Sequence, residues 1–211
     1  MVDPHLPSSP SAPVIGRVAV WRFLRHVVFL VGIGLLAGLI AGFLGLGVGS
    51  RVAMRIVALL AGHGHYGEIT DAEEVVGQIT LDGTGFLVAA GTVVGVPGGL
   101  LYVIVRRWVP GAGIWKGLAF GGLVLALFGS LVIEGDNPDI RRFVPSIISV
   151  LLFALVLVVY GLVAVWVDER LDRGGGASPR NRFLAVGGYA MLAAAVIVGG
   201  AKDFQALAEI F

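Results

Sequence analysis

Five uninterrupted apolar runs constrain what this chain can become. Residues 27–50, 85–105, 117–133, 143–167 and 183–201 hold no Asp, Glu, Lys, Arg or His, over about 24, 21, 17, 25 and 19 residues respectively. An α-helix rises 1.5 Å per residue, so roughly 20 residues cross a hydrocarbon core about 30 Å thick. The 117–133 run is the shortest, and Trp115 and Lys116 extend it, because a lysine stem snorkels toward the headgroups. The runs are too long, and too rich in Gly, Ala and Leu, for barrel strands of about 10 alternating residues. Lipid offers no partner to an unpaired backbone amide, so each run is expected to be helical. The expectation is an all-α polytopic transmembrane bundle of about five spans. A single membrane domain takes up residues 17–211, behind a disordered cytoplasmic tail at 1–16 that opens rich in Pro and Ser. The tail is not read as a signal peptide, since the apolar stretch after it starts late and is too long.

Composition closes the soluble alternative. Hydrophobic residues make up 57% and charged residues 14%, against about 45–50% and 25% in soluble domains. A chain of 211 residues cannot supply the polar shell that five fully buried helices would need. Cysteine is absent, which removes disulfides, thiolate catalysis, iron–sulfur clusters and Cys-based zinc sites. A net charge of +1 provides no footprint for nucleic acid. The expected partners are the lipid bilayer and either other membrane proteins or further copies of the chain.

Alternate loops differ in charge. One side carries Arg17, Arg22, Arg25, Arg106, Arg107, Lys116, Arg170, Arg173, Arg180 and Arg182; the other carries Arg51, Arg55, Arg141, Arg142 and Lys202. Ten basic residues against five place the first side in the cytoplasm. Trp21, Trp108, Trp115 and Trp166 all fall at boundaries on that side, where indole favours the headgroup region. The expected topology has the N-terminus inside and the C-terminus outside, in a multi-pass protein of the bacterial inner membrane.

Glycine spacing predicts how the helices meet. Gly34, Gly38, Gly42, Gly45 and Gly49 recur at steps of three and four, Gly91, Gly95 and Gly99 at four, and Gly117 and Gly121 at four. Such spacing draws one face along each helix and lets backbones approach closely in lipid. A compact bundle of the first three helices is expected, with homo-oligomerisation through the stripe as the alternative. The fourth span holds only Gly161 and is expected at the periphery. Pro97 should kink the second span, while Pro145 near the start of the fourth is tolerated.

The uncharged runs argue against proton relays, a transmembrane haem and an intramembrane serine protease, all of which need ionisable groups at depth. Candidate sites therefore lie at the outer surface. The helix of the first span is expected to continue through residues 50–61, placing Arg51 and Arg55 on one face. An outer loop at 62–84 with a short helix follows. Its acidic residues Asp71, Glu73 and Glu74 are candidate partners for the two arginines, with a lipid phosphate or bound anion as alternatives. Thr70 and Glu73 form a capping box. His63 and His65, with Glu68, have the spacing of a weak metal site, set against a plain polar loop. Residues 134–142 read as a capped turn, since they lack the spacing of a calcium loop. The basic linker at 170–182 is explained by anionic headgroups.

Residues 45–110 carry Gly-x-x-Ser-Arg-x-Ala-Met-Arg at 47–55, Thr70 with Asp71, and Gly-Gln-Ile-Thr-Leu-Asp-Gly-Thr at 77–84, ending at Trp108 and Pro110. This stretch resembles a type of small polytopic bacterial inner-membrane protein. The resemblance implies a membrane location and draws attention to Arg51, Arg55, Asp71 and Thr80, but it implies no reaction and no cofactor.

Three functional readings follow. The first is a non-enzymatic bundle acting as an accessory or structural subunit of a larger membrane complex. The second is a small channel or facilitator lined near Pro97 by Thr92, Tyr102 or Tyr160. The third is a lipid- or anion-binding protein or an enzyme, with its site at the outer surface.

Overall fold

The computed structural model describes residues 15–61, 81–132, 146–172 and 182–210. These form an all-helical bundle with five helices long and apolar enough to cross a membrane. The elements are α1 (Ile15–Ala41), a π-helical stretch (Gly42–Val48), α2 (Gly49–Ala61), α3 (Leu81–Val105), α4 (Gly113–Val132), α5 (Ser146–Leu171) and α6 (Arg182–Ile210). The outer loop and its short helix, expected at 62–84, fall mostly outside the described residues. So do the turn at 134–142 and Pro145.

The first span is continuous from α1 through α2. Its apolar part, Ala19–Leu60, covers 42 residues, roughly 60 Å of helix. That is about twice the hydrocarbon thickness, so its ends project beyond the lipid core. The π stretch in the middle redirects the glycines. With i→i+5 bonding, residues five apart come nearly into line, which they do not at 3.6 residues per turn. Gly42 and Gly47 consequently both face α3.

α1 and α3 pack backbone against backbone. A Cβ on Gly38 would stand 2.7 Å from the Gly95 carbonyl oxygen, and one on Gly42 would stand 2.5 Å from that of Gly91. A Cβ on Gly34 would lie 3.2 Å from the Gly99 carbonyl oxygen, and one on Gly47 2.9 Å from Val88 Cα. No side chain fits between these helices at the Gly38, Gly42 and Gly47 levels, while at Gly34 the Leu100 and Val103 side chains already fill the space. Close approach maximises dispersion contacts, the main attraction between helices where lipid removes the hydrophobic drive. The reading of five glycines as one face needs correction. Gly34, Gly38 and Gly42 face α3, but Gly45 faces Tyr160 on α5, and Gly49 lies beside Val156 on the same helix.

The fourth span is not peripheral. α5 stands between the α1–α3 pair and α4, and supplies Tyr160, Ala164 and Val165 to the core. One glycine suffices because its partners provide the rest. The Tyr160 backbone lies against Gly45 and its ring against Gly98, while neighbouring Gly161 meets Gly121 and Gly117 on α4. α4 thus packs on α5, and the expected compact grouping of the first three helices does not form. The outlying helix is α6, which rests mainly on α4 and has 6% of its apolar window buried. Between α3 and α4 the chain reverses within residues 106–112, where Gly111 takes φ +91° and Gly113, the first residue of α4, takes φ +56°. This is the left-handed region that only glycine enters at low cost.

Candidate functional site

The most developed polar cluster joins the C-terminal ends of α3 and α5. Tyr102 and Arg106 are one helical turn apart, as are Asp168 and Asp172, so each pair presents both groups on one side. Arg106 Nη1 lies 2.7 Å from Asp168 Oδ1 and 2.8 Å from Asp172 Oδ2. Tyr102 donates its phenolic proton to Asp168 Oδ2 at 3.0 Å. Phe120 packs edge-on against the Tyr102 ring, with centroids 4.8 Å apart, and the Lys116 ammonium lies 5.7 Å from the ring centroid. The next acid, Glu169, accepts a hydrogen bond from the Gly113 amide at 2.9 Å. That puts a negative charge at the start of α4, where the helix dipole favours it.

Arg106 is 8% exposed and Asp168 3%. Burial of the Arg106 guanidinium opposes its charge, but the Asp168 and Asp172 carboxylates more than offset this and push its pKa up. Such a buried pair is costly to break, because removal of one partner strands the other charge. The cluster therefore acts as a latch tying α3, the α3–α4 turn and α5 at one membrane boundary.

A second tie lies at mid-bundle. Tyr160, 2% exposed, donates from its hydroxyl to the Gly95 carbonyl at 2.7 Å. Thr92 donates back to the Val88 carbonyl of its own helix at 2.6 Å. The three side chains expected to line a pore thus face helix contacts or their own backbone. On α6, Asp203 stands against Gly129 of α4, where a Cβ would meet its carboxylate at 2.8 Å.

Of the expected outer residues, Arg51 donates from Nε to Thr84 Oγ1 at 3.1 Å, joining α2 to the start of α3. Arg55 is exposed on α2. The proposed partners Asp71, Glu73 and Glu74, the histidine pair His63 and His65, Glu68 and Thr80 lie outside the described residues. Gly34, Gly38, Gly42, Gly91, Gly95 and Gly99 line the α1–α3 contact. Sequence reasoning missed the Arg106 latch by ending the fourth span at residue 167, just before Asp168. The available signal was the four-residue spacing of Asp168 and Asp172, on the same predicted side as Tyr102 and Arg106.

Comparison with known protein families, curated proteins and solved structures finds no match.

Proposed function

We propose that this chain is a non-enzymatic structural subunit of a larger complex in the bacterial inner membrane, with its N-terminus in the cytoplasm. The observation that carries this reading is where four of the deeply buried polar side chains go. Tyr102, Arg106, Asp168 and Tyr160 bond to one another or to a backbone carbonyl, and each bond ties two helices together. A catalyst or facilitator keeps such groups open to a substrate or a hydrated path. Here they stiffen a scaffold. The ten-to-five distribution of basic residues supports the orientation.

Purification in mild detergent, followed by mass spectrometry of the intact complex, tests the proposal. The expected result is the chain in fixed stoichiometry with other membrane proteins. Recovery of the chain without partners, together with ion or solute flux through reconstituted vesicles, would overturn it in favour of the channel reading.

A further inference from the structure

An open groove of about 360 Å³ runs between α4 and α6. Val109 and Pro110 from the α3–α4 turn, Leu123 from α4, and Leu192, Ala193 and Val196 from α6 line it. Its walls are apolar, and it lies within two membrane spans. Its volume falls in the range of ordinary ligand sites. One end is marked by charge. Trp108, adjacent to Val109 and Pro110, wedges against Gly188 of α6, one helical turn before Leu192. The Arg107 guanidinium lies 5.5 Å from the centroid of the Trp108 ring, and Arg107 is exposed. The cation and the indole therefore belong to the same α3–α4 turn that supplies Val109 and Pro110 to one end of the groove.

We infer that this groove is a binding site for one anionic phospholipid, with an acyl chain between α4 and α6 and the phosphate at Arg107. Charge complementarity selects the occupant. A neighbouring apolar helix would fill the groove but bring no counter-charge to Arg107, and a zwitterionic lipid would offset the phosphate with its own cation. An anionic headgroup satisfies the guanidinium through charge-assisted hydrogen bonds, at the depth where tryptophan and arginine favour headgroups. Both walls are needed: α6 rests mainly on α4, and the lipid would bridge them where direct packing gives way.

The test is native mass spectrometry of the delipidated full chain in detergent, titrated with phosphatidylglycerol or phosphatidylcholine of identical acyl chains. One phosphatidylglycerol should bind in preference to phosphatidylcholine. Arg107→Gln should weaken phosphatidylglycerol binding about fivefold, the effect of one basic residue near a charged lipid surface, and leave phosphatidylcholine unchanged. Ala193→Trp, which fills the groove from the α6 side, should abolish the preferential adduct. Ala119, on the α4 wall of the groove, offers a second variant: Ala119→Phe should do the same, so that misfolding of one variant leaves the other as a readout. Equal binding of the two lipids, or a preference that survives Arg107→Gln or both groove-filling variants, overturns the assignment. So does a dimer of the wild-type chain that Ala193→Trp dissociates, because the occupant is then a second copy.

Discussion

Gly38 of α1 and Gly95 of α3 meet with no side chain between them: a Cβ on Gly38 would stand 2.7 Å from the Gly95 carbonyl oxygen and 2.8 Å from Val96 Cα. These are backbone atoms that cannot swing aside, so the two helices must separate to admit a larger residue. Gly38→Leu should lower stability by an overpacking cost of about 1–3 kcal/mol or more. Gly32 lies on the same helix with nothing within 4 Å of its Cβ position. Gly32→Ala should be neutral or mildly stabilising, because alanine is the better helix former. Thermal unfolding in detergent compares the two. Equal melting temperatures for Gly38→Leu and the wild type would mean that this glycine face does not pack.

Tyr160 makes two separable contributions, its hydroxyl bond to Gly95 and the fit of its ring against Gly98. Tyr160→Phe should cost about 0.6 kcal/mol, with about 1.7 as the upper bound for interhelical hydrogen bonds in a membrane protein. Gly98→Ala places a methyl group in contact with the hydroxyl and should cost more. The double variant should lose less than the sum, because phenylalanine lacks the atom the methyl meets first. Strict additivity in unfolding free energies would contradict this geometry.

The number and type of helices were legible because span length and hydropathy are local properties of the chain. The 27–50 run, continued through 50–61, anticipated the continuous first span. Helix neighbours were less legible. A count of glycines ranks α5 last, yet packing depends on complementarity, and Tyr160 fits because Gly45 and Gly98 on other helices make room for it. The π stretch was invisible to a 3.6-residue period, so Gly45 was assigned to the wrong face. The Arg106 latch was hidden by the treatment of charge as the end of a span. Asp168 and Arg106 are buried because they neutralise each other across helices, a pairing no single run of sequence displays.

Arg106 faces two carboxylates in a setting where solvent screens little, with 9% and 4% side-chain exposure for Arg106 and Asp168. Arg106→Leu should remove the cation held between Asp168 and Asp172 and cost about 3–5 kcal/mol, as for other broken buried pairs. Asp168→Leu removes the acceptor for Tyr102 but leaves Arg106 its second carboxylate, Asp172, at 2.8 Å, so it should cost less than Arg106→Leu. The double variant should regain part of the loss, giving a coupling energy of roughly 0.5–3 kcal/mol in a double-mutant cycle. Additive losses would show that the two residues act independently.

The last prediction concerns orientation, which rests on the ten-to-five distribution of basic residues and the four tryptophans on one side. The chain has no native cysteine, so single engineered cysteines report without background. Ser178 falls between the fourth and fifth spans and Gly67 between the first and second, so an odd number of crossings separates them on any five-span path. Ser178→Cys should resist a membrane-impermeant maleimide in intact cells and react after lysis. Gly67→Cys should react in intact cells. The Arg106 latch then sits at the cytoplasmic boundary and the Arg51–Thr84 bond at the outer one, because α3 runs from Thr84 to Arg106 across the bilayer. Labelling of Ser178→Cys together with protection of Gly67→Cys would invert the topology and move the latch to the outer surface. Reaction of both in intact cells would break the five-span path itself.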